Sequence, residues 1–178
     1  ATLVRVMKGE AQLGPVGGGA HATRHEGTFA AIGLGMAGTR GGVDSAVIRE
    51  LVHLMVTSAP RVDTQIAPAL ALGLMKAREA APDLIKFAMD EESPELVRAH
   101  VITALAKMGE ATIVPWLVTD GLDNKYLHVA RSAAIALGQL ATADDAVTVD
   151  AIIRHARSGK ERAVRNFCLI ALGEIGGT

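Results

Sequence analysis

Apolar residues recur along this chain at the spacing of a helix face, not at the alternation of a strand. Val97, Val101, Leu105 and Met108 stand at i, i+4, i+8 and i+11, one stripe of an amphipathic helix. Stripes of this kind end in a short phrase that returns along the chain: Gly33-Leu34-Gly35-Met36-Ala37-Gly38, Ala71-Leu72-Gly73-Leu74-Met75-Lys76, Ala104-Leu105-Ala106-Lys107-Met108-Gly109, Ala136-Leu137-Gly138-Gln139-Leu140-Ala141 and Ala171-Leu172-Gly173-Glu174-Ile175-Gly176. Copies lie roughly 32 to 38 residues apart, within the period range of stacked helical repeats.

Reading back from each phrase gives a helix, a break rich in Asp, Ser, Pro or Gly, and an earlier helix, so each unit is predicted to be a helical hairpin. In the third unit the first helix covers Ala81 to Met89, Asp90-Glu91-Glu92-Ser93-Pro94-Glu95 turns the chain with Ser93 as N-cap and Pro94 at the first helical position, and Gly109 stops the second helix after Met108. The other units are expected at about 1–38, 44–77, 112–141 and 145–176, with second helices starting near Arg24, Asp63, Asn124 and Lys160. A lone hairpin leaves its stripe bare, whereas a stacked neighbour covers it. The Gly or Ala inside each phrase lets that neighbour approach, at up to about 1 kcal/mol in helix propensity.

Leu96-Val97-Arg98-Ala99-His100-Val101-Ile102-Thr103-Ala104-Leu105 and Ala163-Val164-Arg165-Asn166-Phe167-Cys168-Leu169-Ile170-Ala171-Leu172 carry a Val-Arg pair ahead of the phrase, and Val129-Ala130-Arg131 is a shifted version. In this the chain resembles the short HEAT-like repeats of phycobilin lyases and many bacterial scaffold proteins. The resemblance implies an all-α, right-handed α-solenoid of about five HEAT-like hairpins, forming a single repeat domain over 1–178. It departs in the second unit, where Val62-Asp63-Thr64-Gln65 replaces the Val-Arg pair, and in the first, where Leu13-Gly14-Pro15-Val16-Gly17-Gly18-Gly19-Ala20 replaces a tight turn. That glycine-rich stretch reads equally as a binding loop and as a mobile insertion. The start at Ala1 and the end at Gly177-Thr178 are those expected of a piece of a longer polypeptide.

Opposite the Val97 stripe, the third unit's second helix carries His100, Thr103 and Lys107, which suit water. The equivalent places hold Phe29, Ile32 and Met36; Ala67, Leu70 and Leu74; Ser132, Ile135 and Gln139; and Phe167, Ile170 and Glu174. In this family the second helices line the concave side. The helices around Phe29 and Leu70 are therefore apolar nearly all round, and such helices are covered on both sides or bind something. Phe29, Ile32, Met36, Leu70 and Leu74 could together supply on the order of 10 kcal/mol before the costs of association. The expected occupant is a protein or peptide, a neighbouring subunit or the rest of the parent polypeptide. Tight superhelical curvature or the glycine-rich loop would instead cover these side chains from within.

A net charge of -1 argues against a polyanion partner, so no nucleic acid is expected. The longest apolar stretches, 27–39 and 65–75, fall short of the about 20 residues of a membrane span. A single cysteine, Cys168, allows no intrachain disulfide and leaves the compartment open, with a cytoplasmic setting slightly preferred.

Candidate chemistry is sparse. The letters of Gly33 to Gly38 fit a dinucleotide fingerprint, but that fingerprint works between a strand and a helix start, and this copy sits at a helix end. His21, His25 and Glu26 form a weak metal candidate, and the His-Glu pair resembles those of di-iron deoxyhypusine hydroxylases, which need several such pairs where this chain has one. Arg98, Arg131 and Arg165 are expected to form a ladder, each pairing with an acidic residue or carbonyl of the neighbouring repeat; a row of anion contacts is the alternative. No catalytic residue and no cofactor is expected. The function predicted is non-catalytic protein binding or scaffolding, with a bilin-lyase-like enzyme and, behind it, a metal-dependent hydroxylase as alternatives.

Overall fold

The computed structural model describes residues 2–10, 24–41, 43–58 and 61–177. Over these residues the chain forms five helical hairpins in sequence. The first pairs α1 (Thr2–Met7) with α2 (Arg24–Gly38), and the second pairs α3 (Ser45–Thr57) with α4 (Val62–Leu74). In the third, a 3-10 turn at Arg78–Ala80 leads into α5 (Ala81–Met89), followed by α6 (Glu95–Met108). In the fourth, α7 (Val114–Trp116) runs on into a π-helical turn at Leu117–Gly121, and α8 (Leu127–Leu140) follows. The fifth pairs α9 (Ala146–Ser158) with α10 (Arg162–Gly176). No strand occurs among the described residues. The glycine-rich stretch between Glu10 and His21 lies, from residue 11 on, outside them.

The second helices form a continuous row in which α2 packs on α4, α4 on α6, α6 on α8 and α8 on α10, while first helices pack mainly on their own partners. The result is an all-α solenoid. Val97, Val101, Leu105 and Met108 are all buried, as are Val129, Ala133, Leu137, Val164 and Cys168 at matching positions. The small residues of the repeat phrase set the spacing. A Cβ on Gly35 would lie 2.6 Å from the Ala71 Cα, and Cβ atoms on Gly73 and Gly138 would lie 2.8 Å from the Cα atoms of Ala104 and Ala171. Side chains at these glycines would force the row apart.

Local signals fix the ends. Gly109 adopts φ 72, the left-handed geometry that closes α6. Asp44 accepts from the Ala46 amide at 2.8 Å to cap α3, and Asp145 accepts from the Thr148 amide at 3.1 Å to cap α9. The turn before α6 corrects the sequence reading. Its helix begins at Glu95, and Ser93 donates to the Asp90 carboxylate at 2.7 Å instead of capping. The charged acceptor outcompetes the helix end, since the same carboxylate also takes the Glu92 amide at 3.1 Å.

Polar contacts stitch successive hairpins. Lys8 meets Glu50 at 3.1 Å, Ser45 donates to Glu79 at 3.0 Å, Lys125 meets Glu91 at 3.0 Å and His155 meets Asp123 at 3.1 Å. Such partly exposed pairs are worth about 1 kcal/mol or less, so they select register more than they supply stability.

Candidate binding groove

The helix period places Phe29, Ile32 and Met36 of α2 on one face, and the repeat register sets Ala67, Leu70 and Leu74 of α4 beside them. The row continues through His100, Thr103 and Lys107 of α6 and Ser132, Ile135 and Gln139 of α8 to Phe167, Ile170 and Glu174 of α10. Phe29 is 71% exposed, Met36 57%, Ile170 55% and Leu74 36%. Ile32, Leu70, His100, Thr103, Ile135 and Phe167 are half-buried, Lys107 is exposed and Ala67 is buried. Large apolar side chains thus stand open at the end of the row formed by α2 and α4, a departure from the polar face that a helix presents to water.

The middle of the row has a different chemistry. Burial, and then the nearby His128, hold the His100 imidazole below its ordinary range, which favours its neutral, hydrogen-bonding form near neutral pH. Lys107 supplies a cation one helical turn beyond Thr103. A ligand lying along the row would therefore meet an apolar end and a polar centre. A cavity of about 310 Å³ opens beside α2 as well, but it faces Gly27, Thr28 and Ala31, a different side of that helix.

The arginines act elsewhere than expected. Arg98 Nε donates to the Ala88 carbonyl at 2.9 Å, and Arg165 Nη1 donates to the Gly159 and Lys160 carbonyls at 2.7 and 3.3 Å. These acceptors belong to the same hairpin, at or just past the end of its first helix, not to a neighbouring repeat. The reason is reach: the tight turn brings the carbonyls at that end under the start of the second helix, where they lack an intrahelical partner. Gln65 does the same work in the second unit, donating from Nε2 to the Met55 carbonyl at 2.8 Å. That unit departs from the Val-Arg pattern in sequence, yet its amide stands at the position aligned with Arg98, which is the signal for the shared closure. Arg131, one place out of register, has a buried Nε with no hydrogen-bond partner.

The remaining candidates are dispersed. His21 lies outside the described residues, His25 is exposed and Glu26 half-buried. Among the described residues no three His, Cys, Asp or Glu side chains converge as a metal site requires. Gly33 to Gly38 lie inside α2, with Gly35 against Ala71, so they form no phosphate loop. Cys168 is buried, and desolvation pushes its thiol up to about 11, far from a nucleophile's range. No described helix is long and apolar enough to cross a membrane.

Stacked hairpins with one continuous row of second helices define a helical-repeat protein. The chain belongs to the HEAT-repeat family, whose model matches residues 48–138. Among solved structures it is similar to a chain of the complex of CpcE and CpcF of phycocyanin lyase from Nostoc sp. PCC7120, with a TM-score of 0.58 and 23% identity. The alignment covers 98% of this chain and 63% of that one, so the present chain spans less than two thirds of its relative's length. At that identity the likeness establishes the fold. No curated protein matches the sequence.

Proposed function

We propose that this solenoid is a non-catalytic protein-binding module whose second helices form a concave groove for a helix or peptide segment of a partner protein. The observation that carries the reading is the open apolar end of the row, with Phe29 71% and Met36 57% exposed beside half-buried Ile32 and Leu70. An amphipathic segment laid there would anchor apolar side chains on α2 and α4 and turn polar groups toward His100, Thr103 and Lys107. This is the helix-in-groove mode of recognition, in which the partner's anchors recur at helical spacing. That the similar solved structure is a two-protein complex supports a protein partner.

The test uses the immobilised chain to capture a partner from its source cells. Phe29→Asp and Leu70→Asp should each abolish capture while the far-ultraviolet spectrum and melting temperature stay close to the parent's. Capture that survives both substitutions contradicts the reading, and loss of folding in Leu70→Asp assigns that residue to the core.

A second reading, a bilin-lyase-like role, draws on the phycocyanin lyase complex alone. It requires the groove to hold an open-chain tetrapyrrole. Mixing a bilin with the chain would then change the pigment's absorption spectrum, and an unchanged spectrum removes this option.

A further inference from the structure

The groove has two charged edges of opposite sign. The second helices lie side by side, so their first turns form one edge and their C-terminal ends the other. Glu26, Asp63 and Glu95 stand in the first turns of α2, α4 and α6. At the opposite edge Arg40 and Lys76, just past the ends of α2 and α4, are exposed and line one cleft of about 650 Å³, and exposed Lys107 lies in the last turn of α6. Among the described residues none of these three cations meets a carboxylate, whereas Lys8 and Lys125 are held by Glu50 and Glu91 of adjacent hairpins. The counterparts of Lys107 in α8 and α10 are Gln139 and Glu174, so the basic edge belongs to the first three hairpins, where Met36 and Leu74 stand open. Lys76 is also the one non-glycine among the described residues with a positive φ, 52, at the place where Gly109 holds φ 72 after α6. Glycine adopts that geometry without strain and lysine does not, so the cation is kept against the preference of its own backbone.

We propose, building on the groove reading above, that the segment taken there is an amphipathic helix of a partner protein with carboxylates along one flank. Its apolar side chains rest on α2 and α4, and its acidic flank lies against Arg40, Lys76 and Lys107. The edge that carries Glu26, Asp63 and Glu95 repels the same flank, so the two rims together select one way round. The ends of α2, α4 and α6 add partial negative charge at the basic edge. Arg40, Lys76, Arg78 and Lys107 outweigh it together with Glu79, whose carboxylate accepts from Ser45 at 3.0 Å, so the surplus there is positive. Residues 11–23 of this chain contain no Asp or Glu, so that stretch does not supply the acidic flank.

The probe is a displayed library of random peptides of about 16 residues, roughly 24 Å as a helix, selected on the immobilised full chain. Binders lost on Phe29→Asp are the groove ligands. They should carry Asp or Glu on one helical flank, and selection repeated on the Arg40→Gln, Lys76→Gln double variant should lose that enrichment. The double variant should bind the best acidic ligand about 3- to 10-fold more weakly than the parent at low salt, with the difference shrinking as salt rises. Lys76→Gly should weaken the same ligand while raising the melting temperature by about 2–4 °C, because glycine relieves the left-handed strain. Groove ligands without acidic enrichment, or with affinities unmoved by the double substitution, overturn the acidic flank and leave the groove standing. A library that yields no Phe29-dependent ligand overturns both.

Discussion

Gly73 backs onto Ala104 so closely that a Cβ on the glycine would stand 2.8 Å from the alanine Cα. The contact joins α4 to α6 through backbone, and its equivalents at Gly35 and Gly138 repeat it along the row. Helix propensity favours alanine over glycine by up to about 1 kcal/mol, so the glycine is retained because the joint excludes a side chain. Gly73→Val should therefore destabilise the chain by about 1–3 kcal/mol through forced separation of the helices. Gly173→Ala, with nothing near its added methyl, should be neutral or stabilising by up to about 1 kcal/mol. Urea denaturation of the two variants checks the contrast, and equal effects would contradict the packing account.

Arg98 is fully buried, with its Nε on the Ala88 carbonyl. Arg98→Ala should cost about 2–4 kcal/mol, from the lost charged hydrogen bond and the cavity left behind. Arg98→Gln should recover part of that cost, because Gln65 performs the same closure in the second hairpin. Chemical denaturation of both variants tests the claim. An Arg98→Ala variant as stable as the parent would show that the hairpin does not depend on this contact.

Cys168 sits among α8 and α10 at 0% exposure, and burial raises its thiol to about 11. A disulfide reagent at about pH 8, near the range where free thiols react readily, should label the folded chain very slowly and the urea-unfolded chain within seconds to minutes. Rapid labelling without denaturant would place the side chain in an open environment.

Acid should weaken the fold in two stages. His100 has a folded value held below the ordinary imidazole range, so the unfolded chain takes up its proton first and the contribution of neutral His100 is lost as pH falls through that range. Asp90 and Asp145 are held below the ordinary carboxylate range, chiefly by the Ser93 and Thr148 side chains. Their contribution is complete above that range and is lost as pH falls through the lowered values. Melting temperature measured from about pH 7 to about pH 3 should decline throughout, spanning both ordinary ranges. His100→Gln should remove the upper stage alone. A stability that rises between about pH 7 and about pH 5 would contradict the assignment.

Phe29 shows which apolar residues the fold does not need. At 71% exposure its replacement by Ser should change stability by no more than about 0.5 kcal/mol, whereas Ile102→Ala, in the buried joint toward α8, should cost about 2–5 kcal/mol. Thermal melts compare the pair, and a large loss in Phe29→Ser would mean that the side chain supports the core.

Much of this architecture is written in spacing. The phrase around Leu72, Leu105, Leu137 and Leu172 marks the last turns of the second helices, because only that register buries one stripe and leaves a small residue at each crossing. The second helices begin within about three residues of the expected starts, an ordinary boundary error. Ser93 was less legible, since its choice between capping α6 and binding Asp90 depends on where a charged carboxylate sits in three dimensions. The reach of Arg98 to Ala88 likewise follows from how tightly the hairpin closes, which a one-dimensional pattern does not encode. In the candidate groove, period and register identified the row of Phe29, Leu70 and Ile170; how far each stands open depends on the packing of neighbouring helices.

The most direct test of the groove is differential hydrogen-deuterium exchange on the chain alone and with its captured partner. The account predicts added protection concentrated in α2 and α4, around Phe29, Ile32 and Leu70, with the first helices α3, α5 and α9 unchanged. Protection confined to those first helices, or absent from α2 and α4, would contradict it.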